Sequence, residues 1–557
     1  MKYPHTTRFT AWRRSLVMAM LLTSASVPAL AQDGARRPNF LLIVADDLAY
    51  SDLGAFGGEI ATPNLDRLAR EGLRFSGFHT APTCSPTRAM LLSGTDSHRA
   101  GFGAMAERIA PNQQGKPGYE GYLRPQVATL AERFAAGGYR TLMAGKWHQG
   151  LTPEQDPHAR GFQRSFALLQ GAHNHYGLDF ADPDKAPEQN TGGAVFTEQG
   201  VRLAKLPDGF YSSDYFTSKL LEFLRDKQAP DQPFFAYLAF SAPHWPLQAP
   251  REVIDKYRGR YDAGFDVLHE QRLQRQVELG LRQADTSAHG MVMTRRWDQL
   301  TPEQQQLGAR DMEVYAAMVD RLDQNVGRVV DELKRSGEFD NTVILFLSDN
   351  GAEGRDTGTT REMPKDADNR LENRGNATSF FGYGPGWAQA GTAPSLLMKY
   401  YSTEGGTRAP AFLSYPGLNR AGAISNAFLS VADVMPTFLE LAGIPASGTT
   451  FEGRAVEPIR GRSWIPYLQG KADYVYGPDD AIGTELYGSR ALRQGDWKIT
   501  DTGNGTWKLF NIARDPGETL DLSSEEPERL TRLKASYALY AQDVGVISPP
   551  VPVLPQP

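Results

Sequence analysis

Asp46-Asp47 and Asp349-Asn350 bring three carboxylates and an amide to two points of the chain, all hard oxygen donors. Such a set suits Ca²⁺ or Mg²⁺ and would serve copper or a thiolate-type zinc site poorly. Each pair alone is an ordinary turn dipeptide. Both follow apolar runs, however, and carboxylates packed together are unfavourable unless a cation lies between them. Lys146 and His148 stand two apart on an extended segment, so both can face one side of a sheet edge. His244 follows Pro243 at the end of another apolar run. Singly, a histidine or lysine is an ordinary polar residue. Two histidines, Lys146 and Arg88 converging on a metal and a nucleophile would suit an anionic, tetrahedral ester.

The candidate nucleophile is Cys84, the one cysteine in 557 residues, which rules out an internal disulfide. In Cys84-Ser85-Pro86-Thr87-Arg88, Pro86 fits the first turn of a helix, Arg88 to Leu92 continues it and Gly94 can end it. Cys84 is thereby expected at a helix N-terminus, where free N–H groups and the dipole favour negative charge. The plainer alternative is a buried cysteine acting as a small hydrophobe. The Ser, Pro, Thr and Arg that follow it favour a site.

Four apolar runs end in these polar clusters: Asn39 to Ala45 before Asp46, Tyr139 to Gly145 before Lys146, Phe234 to Phe240 before Ser241, and Thr342 to Leu347 before Ser348. Continuous apolar runs of this length suit strands buried on both faces. Helical patterns lie between them: one opening at Pro63 with Thr62 as a plausible cap, then Val127 to Ala136, Tyr215 to Lys227 and Asp311 to Ser336. Alternating strands and helices predict an α/β fold with a large, mostly parallel sheet, whose chemistry gathers beyond the carboxyl ends of its strands. All four polar clusters fall there.

Residues 151–213 and 249–308 are rich in Gly, Pro, Gln and charge and read as long excursions that could wall a pocket. After about residue 425 short strand-like pieces appear at 490–493, 496–499 and 507–511, then a helical stretch from Pro527 to Tyr540. The expected organisation is a catalytic α/β domain over 38–424, a smaller α+β domain with an antiparallel sheet over 425–547, and a poorly ordered proline-rich tail over 548–557. Residues 1–31 read as an export signal, with Lys2, Arg8, Arg13 and Arg14 before a weakly apolar run and Ala29-Leu30-Ala31 as the cleavage site. Arg13-Arg14 hints at twin-arginine export. The remaining chain carries 55 Lys+Arg against 65 Asp+Glu, a formal charge of −10 that argues against a nucleic-acid partner. No later run is long enough to span a membrane, so a periplasmic or secreted protein, free of the membrane after cleavage, is expected.

Cys84-Ser85-Pro86-Thr87-Arg88 with Ala89 to Gly94 resembles the sulfatase signature Cys-x-Pro-Ser/Thr-Arg. Pro38 through Asp47, Gly145 to His148, Pro243-His244, Ser348 to Gly351 and the stretch from Gly384 through Lys399 to Arg408 resemble further blocks of that family in the same order, over nearly all of 38–550. The length and inserts look most like the bacterial arylsulfatases. The resemblance implies an alkaline-phosphatase-like fold and conversion of Cys84 by a maturation enzyme to formylglycine (3-oxoalanine), whose hydrate is the nucleophile. It further implies Ca²⁺ held by Asp46, Asp47, Asp349 and Asn350 and touching the modified Cys84, with Asp349 helping to deprotonate the attacking hydroxyl. Arg88 and Lys146 would hold the modified side chain, His148 would be the base for sulfate release, and His244 and Lys399 would bind sulfate, His244 protonating the leaving oxygen. The expected substrate is a small-molecule sulfate ester. The rivals are a phosphonate or phosphate ester hydrolase with the same modified cysteine, and a binding protein that never modifies it.

Overall fold

The computed structural model describes residues 36–182, 185, 193–227, 229, 231–356, 363–418, 420–446, 448–550 and 553–555. The proposed export signal lies outside them. Among the described residues, ten strands form one sheet in the order Ile424–Ser425, Leu73–Phe75, Ala411–Ser414, Thr342–Ser348, Asn39–Ala45, Phe234–Ala239, Arg140–Lys146, Arg164–Leu168, Phe196–Glu198, Val201–Arg202. The five strands from Thr342–Ser348 to Arg164–Leu168 are mutually parallel, and antiparallel pairing begins on either side of them.

Alternation along the strand Asn39–Ala45 shows why the sheet is buried on both faces. Leu41, Ile43 and Ala45 enter one core with Leu65 and Leu68, Phe216 and Leu220, and Val314, Leu322 and Val329 from three helices. Phe40, Leu42 and Val44 enter the other core with Leu91 and Leu92, Leu130 and Phe134, and Val434 and Phe438. A strand that is apolar at every position needs cover on both sides, and helices provide it. The long helix Pro302–Arg335 starts earlier than its apolar periodicity suggests, because Thr301 and Gln304 form a capping box ahead of Pro302. Thr62 precedes the helix Pro63–Glu71 but does not cap it with its side chain; its hydroxyl accepts from the Gly54 N–H and donates to Asp66.

The first excursion, 151–213, supplies three strands at one edge of the large sheet, and 249–308 contains the helix Gly264–Glu278. Residues 425–442, read from sequence as the start of the smaller unit, pair and pack with the large sheet: Ile424–Ser425 lies parallel to Leu73–Phe75, and Phe438 meets Phe40 at 5.0 Å between ring centroids. The separate antiparallel sheet comprises Ala481–Leu486, Ser489–Gln494, Trp497–Asp501 and Lys508–Asn511, covered by the helix Pro527–Val544. The proline-rich tail is partly docked: Leu554 is buried, and the Tyr401 hydroxyl donates to the Pro555 carbonyl at 2.6 Å. No helix among the described residues is long and apolar enough to cross a membrane.

Candidate active site

Ala45 pairs with Ser348, and Ala239 pairs with both Val44 and Gly145, so the four central strands end at one level. Asp46-Asp47, Asp349-Asn350, Lys146-Trp147-His148 and Ser241 to His244 are thereby delivered to one place. Gly145 is required there. Its φ is +124°, and a Cβ would lie 1.8 Å from the Ala239 carbonyl oxygen. The helix Cys84–Ser93 points its N-terminus at the same level and ends at Gly94 in a left-handed cap, as its sequence predicts.

Cys84 is 1 % exposed, and its Sγ donates to Asp46 Oδ1 at 3.3 Å and lies 3.8 Å from Asp47 Oδ1. Burial, with the Asp349 and Asp46 carboxylates, pushes the thiol well above its usual range. These effects outweigh the preference of the helix N-terminus for negative charge and favour a neutral S–H. Lys146 Nζ donates to Asp46 Oδ2 at 2.6 Å, and Lys399 Nζ lies 2.7 and 2.9 Å from the two Asp47 oxygens. Burial would lower both lysines, but Asp46 and Asp47 respectively hold them above their ordinary values. Burial would likewise raise Asp47, yet Lys399, His244 and Lys146 keep it well below the usual carboxylate range. Arg88 grips Asp349 Oδ2 through Nε at 2.9 Å and Nη2 at 2.8 Å, while its Nη1 donates to the Lys146 carbonyl at 2.9 Å. Burial and Asp46 push Asp349 upward against that guanidinium.

Cys84, His148, His244 and Lys399 line a cavity of about 280 Å³, walled further by Trp245, Phe380, Tyr400 and Met105. His148 and Lys146 do not sit side by side on an extended strand: His148 has φ +55°, and this left-handed turn carries its ring to the cavity wall while Lys146 stays beneath. His148 Nε2 lies 3.1 Å from Glu107 Oε1. His244 Nδ1–H donates to the Trp245 carbonyl at 2.7 Å, with Nε2 3.5 Å from Asp47 Oδ2. Burial lowers both histidines against the pull of Glu107 and Asp47, favouring neutral rings.

Asp46, Asp47, Cys84 and His244 offer ligand atoms within 4.8 Å of one another. Asn350 Nδ2 donates to Asp47 Oδ1 at 2.6 Å, while Asn350 Oδ1 is buried without a hydrogen-bond partner. An orphaned hard oxygen beside two buried carboxylates fits a hard dication. Asp349 takes a different posture from a simple ligand, with Oδ2 on Arg88 and Oδ1 accepting the Asp47 N–H at 3.3 Å. Every site residue named from sequence therefore reaches this one region. Others were not named: Glu107, Gln149, which donates to the Ser85 carbonyl at 2.9 Å, and Glu353, 3.4 Å from Lys399 Nζ and 2.8 Å from the Tyr400 hydroxyl. Gln149, next to His148, and Glu353, three residues beyond Asn350, had a positional signal; Glu107 had none.

A family model described as Sulfatase matches residues 38–444. An uncharacterised sulfatase of Schizosaccharomyces pombe is 48% identical over 93% of this chain and 96% of that protein. An arylsulfatase of Klebsiella aerogenes is 41% identical over 73% of this chain and 87% of its own length. A solved structure of Ps i-CgsB in complex with k-i-k-neocarrahexaose superposes with a TM-score of 0.65 at 24% identity, over 93% of this chain and 95% of that one, and bears on the fold.

Proposed function

From the premise that the chain belongs to the sulfatase family, we propose that it is an exported arylsulfatase that hydrolyses sulfate esters to a phenol or alcohol and inorganic sulfate. The observation that carries this reading is the setting of Cys84: it opens a helix at the cavity floor, beside Asp46, with Arg88, Lys146 and Lys399 converging on the adjoining carboxylates. A buried neutral thiol is a poor nucleophile at sulfur. Converted to formylglycine, the same side chain would supply a geminal diol, one hydroxyl to attack sulfur and a second to be deprotonated as sulfate leaves. Ca²⁺, which Asp46, Asp47, Asn350 and Asp349 would hold, would supply the positive charge that an anionic ester and an ionising hydroxyl need.

The chain's own residues account for the rest. Arg88 and Lys146 hold Asp349 and Asp46 in place and screen developing charge. Lys399 and His244, both lining the cavity, bind the sulfate oxygens. An anionic ester beside His244 Nε2 favours its protonation, and that proton goes to the leaving oxygen. Asp349 accepts the proton of the attacking hydroxyl, and His148 that of the second. The rings of Trp245, Phe380 and Tyr400 suit a flat aromatic leaving group.

Protein purified from its own host tests this. Mass spectrometry of the Cys84 peptide is expected to show the aldehyde or its hydrate, and nitrophenyl sulfate is expected to be cleaved faster than the phosphate monoester, phosphodiester or phosphonate. An intact thiol without turnover would sink the enzyme reading. A phosphonate preference would move the chain to the rival activity.

A further inference from the structure

Glu107 sits on a short helical turn, Ala106–Arg108, remote in sequence from every motif above, yet its Oε1 lies 3.1 Å from Nε2 of His148. Burial would raise Glu107, but the charge of His148 and its hydrogen bond bring it down to about 2, so the carboxylate is an acceptor only and the shared hydrogen belongs to Nε2. The other ring nitrogen, Nδ1, is buried without a hydrogen-bond partner, and the ring lies on the cavity wall beside Cys84. Two further constraints fix the ring. The left-handed backbone at His148 sets its exit direction, with the His148 N–H bonded to the Leu169 carbonyl at 3.2 Å. Gly171 packs flat against it: a Cβ there would meet His148 Cε1 at 2.3 Å and Nε2 at 2.6 Å.

We propose that Glu107 is a positioning residue that holds His148 in the tautomer protonated at Nε2, leaving the unpartnered Nδ1 lone pair as the proton acceptor during sulfate release. The proposal rests on the sulfatase reading for what His148 does, and on geometry alone for which nitrogen does it. In that role, on a residue 84 carrying the sulfate ester, the second hydroxyl would give its proton to Nδ1. Its O–H electron pair would form the aldehyde C=O while the C–O bond to sulfate breaks, sulfate leaving with that bond's electron pair. Nδ1 would later return the proton to solvent. Burial of the ring favours the neutral imidazole that such an acceptor requires. Glu107 touches neither sulfur nor the leaving group in this scheme. It acts through the ring, as the carboxylate partner of a catalytic histidine does elsewhere.

The test uses full-length protein with ¹⁵N-labelled imidazoles, His148 being assigned by the signals lost in His148→Asn. In the unsubstituted protein His148 is expected to show a protonated Nε2 and an unprotonated Nδ1. Glu107→Ala should mix the tautomers. In matured enzyme it should lower kcat for nitrophenyl sulfate about 10–100-fold with KM little changed, and release one phenol per modified site rapidly before slow turnover. Glu107→Gln, whose amide oxygen still accepts, should keep the tautomer and lose less. Unchanged His148 signals in Glu107→Ala, or a loss confined to KM, would overturn the proposal. A matured enzyme with no sulfate ester turnover would overturn the functional reading instead, while leaving the tautomer measurement to stand alone.

Discussion

At the scale of single residues the site is a charge problem. Asp46, Asp47 and Asp349 are matched by Arg88, Lys146 and Lys399, all buried and mutually in contact. Ionised side chains so balanced give no net attraction for an anionic ester; a bound dication tips the site positive. Chelation with EGTA is therefore expected to abolish activity, and Ca²⁺ to restore it more fully than Mg²⁺, which demands stricter octahedral geometry. The same ion should raise Tm, since at about 100 times its Kd a ligand of the folded state adds about 2.7 kcal/mol. Activity and Tm both indifferent to chelator would remove the metal from the account. His244 raises a separate question, because burial favours its neutral form. A phenolate leaves with little help whereas an alkyl alkoxide needs a proton, so His244→Ala should slow alkyl sulfates at least about tenfold more than nitrophenyl sulfate. Equal losses on the two substrates would take the acid role away from this residue.

At the scale of elements, the precision of the site comes from strands that stop together. Gly145 is where two of them nearly touch, with its absent Cβ aimed at the Ala239 carbonyl. Gly145→Ala must both strain a φ of +124° and part that strand pair, and is expected to cost roughly 3 kcal/mol. Thermal unfolding reads this as a lower Tm with lost activity; an unshifted Tm would show that the pair can separate freely. The strand ends were legible in sequence because apolar runs of about seven residues, each closed by a polar residue, admit few other readings. Arg164–Leu168 and the two- and three-residue strands at the sheet edges were not, being too short to set up a period within Gly- and Pro-rich surroundings. The boundary at residue 425 was drawn on local texture, whereas pairing with Leu73–Phe75 and packing on Phe40 are long-range facts. Lys146 and His148 show the limit of local geometry. Their spacing was informative, but a single left-handed residue undid the assumption that both face one way. Glu107 carried no signal at all, since only the tertiary fold brings it to His148.

At the scale of the whole molecule, the small antiparallel sheet is tied through buried ions to short elements around the nucleophile helix, the strand Phe78–His79 and the helices Ser97–Ala100 and Glu404–Thr407. Glu404 bonds His79 and Lys498, and Lys498 in turn reaches Glu518. A second tie runs through His98, whose Nδ1 lies 3.0 Å from Asp96 and whose Nε2 lies 3.2 Å from Glu485 in the small sheet, with Tyr540 of the last long helix donating to Asp96 at 2.9 Å. Burial alone would lower His98, but hydrogen bonds from its ring to Asp96 and Glu485 push it up to about 9. In the unfolded chain a histidine titrates near 6.5. The folded protein therefore keeps a proton that the unfolded chain has lost, and this contribution, about 3 kcal/mol by linkage, is complete below pH 6.5 and disappears as pH rises through 9. His98→Gln can still donate one hydrogen bond but cannot carry the charge. The Tm gap between the unsubstituted protein and His98→Gln should accordingly be wide at pH 6 and narrow markedly by pH 9.5. A gap of constant size across that range would mean that His98 holds the small sheet to the helix Ser97–Ala100 by packing and neutral hydrogen bonds, without the ion pair.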